Sequence, residues 1–133
     1  MDRLSKRQRS ALMSKIRGKD TQPEMAVRRF VWRAGFRYRL HARGLPGTPD
    51  LVFRPMKKLI FVHGCFWHGH KCRGEKLPKT HTKFWEAKIS RNRERDVATV
   101  RKLRRIGWKC LTVWECEVKR PGALDKILFF LEQ

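Results

Sequence analysis

The densest chemistry in the chain lies in the run His63-Gly64-Cys65-Phe66-Trp67-His68-Gly69-His70-Lys71-Cys72. Cys65 and Cys72 offer thiolates and His70 an imidazole, a donor set that suits tetrahedral zinc. The spacing is not a paired C-x-x-C, and it leaves the fourth ligand open between His68 and a distant residue such as Cys116. Cys110 reads as packing. A zinc with four protein ligands braces a fold and has no open position for activating water. The alternative is that these cysteines are buried apolar residues. His63 and His68 flank the cluster as either a general acid and base or hydrogen-bonded core histidines. Phe66 and Trp67, together with Trp85 beside Lys83 and Lys88, serve either as core anchors or as outward aromatics that wedge between bases.

A second candidate stands apart. Asp50 is the single acidic residue between Met25 and Gly74, among Arg28, Arg29, Arg33, Arg37, Arg39, Arg43, Arg54, Lys57, Lys58, Lys71 and Arg73. In such a field its pKa is expected to fall, and it would attract a divalent metal only through specific geometry. A turn cap after Pro49 is the plainer role.

The whole chain shares that bias. Its 133 residues hold 33 Lys+Arg against 12 Asp+Glu, a formal net charge of +21, which favours a polyanionic partner, most often nucleic acid. A hydrophobic share of 41% argues for a folded core rather than a disordered basic tail. No apolar run is long enough to cross a bilayer, and the start MDRLSKRQRSALM has no secretory character. Four cysteines without an export signal point to a reducing compartment.

The elements that must position these residues are signposted. Residues 1–20 read as a basic arm and 21–133 as one domain. Thr21 and Glu24 form a T-x-x-E capping box with Pro23 in the first turn and Gly35 as the stop, and Val27, Phe30, Val31 and Ala34 make the buried helical face. Phe36 to Leu40 alternates as a strand. Asp50–Phe53 and Leu59–Val62 predict a hairpin turned over Pro55–Lys58, which places Asp50 opposite His63. A helix is expected from Thr82 toward Ile106, with a break near Ser90 and a stop at Gly107, then a strand over Trp108–Glu115, a turn at Arg120-Pro121-Gly122 and a short helix carrying Leu124, Ile127, Leu128 and Leu131. The fold class is α/β, a small mixed sheet flanked by helices.

With PGTPD at 46–50, FVHGCFWHGHKC at 61–72, FWEAKISRNRERD at 84–96 and VWEC at 113–116, the chain resembles the very-short-patch-repair (Vsr) mismatch endonucleases from about Lys6 to Cys116. The resemblance implies a restriction-endonuclease-like fold and a cytoplasmic bacterial monomer that nicks duplex DNA 5′ of the thymine in T:G mismatches left by 5-methylcytosine deamination, with mismatch-repair proteins as further partners. Its catalytic carboxylate falls on Asp50, binding Mg²⁺ together with the Val62 carbonyl; many relatives carry threonine there, and valine keeps the carbonyl. A second Mg²⁺ on phosphate and waters is also implied. His68 matches the general base and His63 its supporting histidine, while Glu24 and Asp96 match acidic residues that act through waters and histidine orientation. The structural zinc ligands fall on Cys65, His70, Cys72 and Cys116, and the mismatch wedge on Phe66, Trp67 and Trp85. The wider superfamily's carboxylate-x-lysine pair is missing from Leu59–Val62, and the histidines take over the lysine's proton handling. The alternatives are a nuclease of the same fold acting on another lesion or site, a zinc-stapled binding module without activity, and a ribonucleoprotein component.

Overall fold

A computed structural model describes residues 21–42, 44–65, 68, 70 and 80–133. Helix α1 (Gln22–Arg33) is followed by β1 (Arg39–Leu40), β2 (Leu51–Phe53), a single 3-10 turn at Arg54–Met56, β3 (Lys58–His63), the long α2 (Thr82–Arg105), β4 (Lys109–Trp114), and the short α3 (Glu115–Val118) and α4 (Asp125–Glu132). The basic arm expected over 1–20 lies outside the described residues, as do Arg43, Phe66, Trp67, Gly69 and 71–79. Among the described residues no helix is long and apolar enough to cross a membrane.

The sheet runs in chain order β1-β2-β3-β4, antiparallel up to β3 and then parallel between β3 and β4. It is therefore the mixed α/β sheet expected. Because β3 is central and covered on both faces, all six of its residues, KLIFVH, are buried. Alternation along the strands sorts the core into two layers. Leu51, Phe53, Ile60, Val62 and Val113 meet Val27 and Val31 of α1 and Ile127 and Leu131 of α4. Val52, Leu59 and Phe61 face the other way, onto Leu103 of α2. Lys58 is also buried, and its Nζ donates to the carbonyls of Leu131 (3.1 Å) and Gln133 (2.8 Å), so its charge caps the last turn of α4.

Several expectations change in detail. The Thr21 hydroxyl accepts from Glu24 N at 3.4 Å, as the capping box expects, and the Glu24 carboxylate has a partner the sequence did not announce. It turns inward to Arg28, and both are buried. Ala34 is not on the core face; it is the exposed C-cap. Of Phe36–Leu40 only Arg39 and Leu40 pair, because β2 offers only three residues, Leu51 to Phe53. Helix α2 runs 24 residues without the break expected at Ser90, since the exposed Ser90 has no tertiary cause to interrupt the hydrogen-bond ladder. It ends where expected, with Gly107 at φ 97°.

The loop before β2 is clamped on α2. Gly47 lies at φ 75°, and a Cβ added there would sit 2.4 Å from Thr99 Cγ2. Gly47→Ala combines left-handed strain with this clash and is expected to lower stability by about 2 kcal/mol, read by urea melts. If Thr99→Ala added to it restores most of that loss, the clash is the main term; if it restores nothing, backbone strain is.

Candidate active site and metal centre

Antiparallel pairing of β1, β2 and β3, then parallel pairing of β4, brings the end of β1, the start of β2 and the ends of β3 and β4 to one edge of the sheet. Every described candidate except Trp85 gathers around that edge or faces it from a helix.

Asp50 immediately precedes β2. With Leu51 opposite Ile60, it stands level with Phe61 rather than His63, so the expected pairing is two residues off. The cause is the 3-10 turn, which closes the hairpin earlier than a turn centred on Met56 and Lys57 would. Asp50 Oδ2 accepts from the Val62 backbone N–H at 2.7 Å. In an extended strand the N–H and C=O of one residue project to the same side, so the Val62 carbonyl also faces Asp50.

The expectation of a lowered Asp50 pKa is overturned. Burial pushes it up to about 7, Glu24 adds to the rise, and the Val62 N–H, Arg28 and His68 only partly offset it. The surrounding basic residues are the reason: Arg29, Arg33, Arg39, Arg54 and Lys57 are exposed, so water screens their charge, and Arg37 is spent on the Trp32 ring, whereas the buried neighbours include a second carboxylate.

Next to Asp50 is a residue that spacing did not reveal. His41 follows β1 and brings Nδ1 within 3.8 Å of Asp50 Oδ1 and Nε2 within 3.6 Å of Glu24 Oε2. Arg28 bonds both Glu24 (3.1 Å) and His41 Nε2 (3.0 Å). Glu24, His41 and Asp50 are close enough to share one ion.

The second group is His63, His68 and Asp96. The imidazoles of His63 and His68 stack with centroids 3.8 Å apart and planes 1° from parallel. His68 Nδ1 lies 2.5 Å from Asp96 Oδ2. An ionised carboxylate only accepts, so Nδ1 carries the proton and Nε2 is left to take one. Burial, helped by the neighbouring His68 and opposed by Asp96, lowers the His63 pKa to about 4, which keeps that ring neutral at physiological pH. Asp96 reaches the site from the middle of α2, a placement the unbroken helix makes possible.

Cys65, His70 and Cys116 form the third group, with donor atoms within 4.8 Å of one another. Cys116 Sγ stands 3.5 Å from His70 Nδ1. Bonds of about 2.3 Å to sulfur and 2.0–2.1 Å to nitrogen at a tetrahedral angle separate the two ligands by roughly 3.6 Å, so the pair fits zinc. Cys72 lies outside the described residues. Cys110 is on β4 beside Leu59 and takes no part, as expected of a packing residue. Two supports escaped the sequence reading, although both stand in the VWEC motif. Trp114 stacks on His70 at 4.2 Å and meets His63 edge-on at 5.3 Å, joining the metal cluster to the histidine pair. Glu115 Oε1 accepts from Cys65 N at 3.3 Å.

Of the aromatic candidates, Phe66 and Trp67 lie outside the described residues. Trp85 is half-buried in the first turn of α2 beside the exposed Phe84, with ring centroids 5.2 Å apart. Along the rest of α2, Arg91, Arg93, Arg95, Arg101, Arg104 and Arg105 are all exposed.

Comparison with known proteins places this arrangement. Residues 1–74 match the family model described as DNA mismatch endonuclease Vsr. The chain is 48% identical over 124 residues to the type II nicking enzyme V.XorIIP of Xanthomonas oryzae pv. oryzae, covering 93% of this chain and 91% of that one. It is 46% identical over 114 residues to the type II nicking enzyme V.NmeAIP of Neisseria meningitidis, covering 86% and 81%. To the DNA mismatch endonuclease Vsr of Escherichia coli it is 40% identical over 121 residues, covering 90% and 78%.

Proposed function

Because the chain belongs to the Vsr family of DNA mismatch endonucleases, a family of DNA-nicking enzymes, we propose that it nicks duplex DNA on the 5′ side of the thymine in T:G mismatches, starting very short patch repair. The observation that carries this reading is the meeting, at one sheet edge, of a partly buried carboxylate held by Val62 N–H and a histidine held by a second carboxylate.

The donors around Asp50 are mostly oxygens: its carboxylate, the Val62 carbonyl and the Glu24 carboxylate nearby, with the His41 imidazole as the one nitrogen of the group. Hard oxygen donors suit Mg²⁺ and the soft Cys/His cluster does not, so the two metals sort to different sites. Mg²⁺ bound at Asp50 supplies charge neutralisation at the scissile phosphate. Asp96 fixes the ring of His68 and holds the proton on Nδ1. His68 Nε2 then takes the proton of the attacking water, and the 3′ oxygen leaves, giving a 5′ phosphate at the nick. His63, neutral and stacked on His68, holds the plane of that ring. Zinc on Cys65, His70, Cys72 and Cys116 is structural in this scheme, and the polypeptide adopts the restriction-endonuclease-like fold as a monomer.

Arg and Lys clamps position the backbone without choosing the sequence. Discrimination comes from Phe66, Trp67 and Trp85, because a mismatch is weakly stacked and yields to an aromatic wedge at the least cost. Trp67→Ala is expected to lower the preference for T:G over T:A duplexes by about tenfold, a loss of roughly 1–3 kcal/mol of stacking. Competition nicking of the two duplexes measures it, and an unchanged preference removes Trp67 from the wedge.

The reading as a whole is tested with end-labelled duplexes that differ at one position, T:G against C:G, in a cytosine-5 methylation context with Mg²⁺ or EDTA. Mg²⁺-dependent cleavage 5′ of the mismatched thymine supports it. Cleavage at another mismatch or site identifies a nuclease of the same family with different specificity, and binding without cleavage of any duplex identifies a binding module.

A further inference from the structure

His41 is absent from the proton-handling and metal-holding roles above, yet it touches both carboxylates of the Asp50 group. Its backbone is in the left-handed region at φ 47°, uncommon for a residue with a Cβ. Its own N–H donates to the Asp50 carbonyl at 3.2 Å, so main chain and side chain are both tied to Asp50. The ring sits between Asp50 and the buried Glu24–Arg28 pair.

The hydrogen-bond inventory decides what such a ring can do. Arg28 is a cation that only donates, so His41 Nε2, 3.0 Å from its guanidinium, accepts. In the neutral ring the proton is then on Nδ1, the nitrogen aimed at Asp50 Oδ1. A protonated nitrogen cannot ligate a metal, but it can steer a carboxylate. The 3.8 Å separation is about 1 Å longer than a hydrogen bond, a gap closed by a small side-chain movement. Asp50 is thus addressed from two sides, with Oδ2 held by Val62 N–H and Oδ1 facing His41 Nδ1.

We infer that His41 is a positioning residue that fixes the rotation of the Asp50 carboxylate, transmitting the rigidity of the buried Glu24–Arg28 ion pair on α1 to the ion-binding oxygens. The inference rests on the reading that Asp50 holds the catalytic ion. It requires a side chain that accepts from Arg28 and donates toward Asp50, and glutamine can do both through atoms separated by nearly the same distance as the two imidazole nitrogens. Phenylalanine fills the space and can do neither.

The test uses the zinc-replete full chain bound to the nicked product duplex, with Mn²⁺ binding followed by electron paramagnetic resonance. His41→Phe and His41→Ala are expected to weaken Mn²⁺ binding about tenfold, whereas His41→Gln stays within about twofold of the parent. In nicking assays the same two variants are expected to need about tenfold more Mg²⁺ for half-maximal rate while changing kcat at saturating Mg²⁺ less than threefold. A purely structural role would lower the melting temperature without producing this split or the glutamine rescue. Equal Mn²⁺ affinity across parent, Phe and Ala variants overturns the inference, and so does His41→Gln binding as poorly as His41→Phe. Should His41→Phe fail to fold, the Ala and Gln comparison decides in the same way. Asp50→Asn separates the two levels: if it too binds Mn²⁺ like the parent, the underlying reading fails; if it loses Mn²⁺ while His41→Ala does not, this inference alone fails.

Discussion

Asp50→Asn is expected to lower Mg²⁺-dependent nicking by on the order of a thousandfold or more while making the protein more stable at pH 8. Stability follows from the raised ionisation of the native carboxylate. Its folded pKa of about 7 lies well above its ordinary value of 3.8, because burial penalises the charged form. At pH 8 the folded protein must therefore hold a carboxylate that is easier to ionise in the unfolded chain, at ~4 kcal/mol. Asparagine removes that penalty but weakens the bond to Val62 N–H, which returns ~1–2 kcal/mol. The net gain of ~2 kcal/mol corresponds to a melting temperature higher by about 5–10 °C.

The sign is fixed by pH. A carboxylate with a raised folded pKa stabilises the native state while protonated, and that contribution is lost as pH rises from about 4 to about 7. His63 behaves oppositely. Its folded pKa of about 4 lies below 6.5, so its neutral form stabilises above pH 6.5 and the contribution is lost as pH falls toward 4. In the parent the two slopes oppose one another between pH 4 and 6.5. The advantage of Asp50→Asn is expected to be largest at pH 8 and to vanish near pH 4, and in the variant the His63 slope stands uncompensated. Thermal melts of both proteins across this range check it. Equal melting temperatures at pH 8 mean that the carboxylate carries no burial penalty and that the exposed arginines screen it after all.

That reversal shows what can be read from the chain and what cannot. Local signals carried the elements: Thr21, Pro23 and Gly35 bracket α1, Gly107 stops α2, and the run Leu59–Val62 marks the buried centre of the sheet. Ligand chemistry carried Cys65 and His70, because soft donors are few and their types diagnostic, whereas the choice of Cys116 over His68 came only from the family resemblance. What failed depended on direction. A list of neighbours in sequence gives the number of arginines near Asp50 but not that most of them point outward. Glu24 was legible as part of a helix cap but not as the partner of Arg28, which it meets because α1 buries that face against the sheet edge. His41 carried no signal in spacing or in type. A lone histidine after a two-residue strand becomes meaningful only once β1 lies beside the start of β2.

Cys116→Ser is expected to produce the largest loss of stability, lowering the melting temperature by more than about 10 °C and the bound zinc from one per chain to a substoichiometric value. The cluster joins the loop after β3 to the start of α3, across the same junction as the Cys65–Glu115 hydrogen bond and the Trp114–His70 stack. Apparent zinc binding energies of ~10–16 kcal/mol in small domains show how much one ligand set can contribute to a fold. The loss should also reach the histidines. Trp114 stacks on His70 and lies edge-on to His63, so a displaced metal loop releases the surface against which the histidine pair packs. Nicking is therefore expected to fall along with zinc content even at temperatures where Cys116→Ser remains folded. Cys110→Ser is the matched control. Its thiol is pushed up in pKa by burial, with Arg104 opposing, and it packs against the Val52–Leu59 layer away from the cluster. That replacement is expected to cost about 1 kcal/mol and to leave zinc at one per chain. Metal analysis and thermal melts of the two serine variants side by side make the distinction. If Cys116→Ser keeps both its zinc and its melting temperature, the three donors are buried side chains rather than ligands, and Trp114 must hold the histidine pair by packing alone.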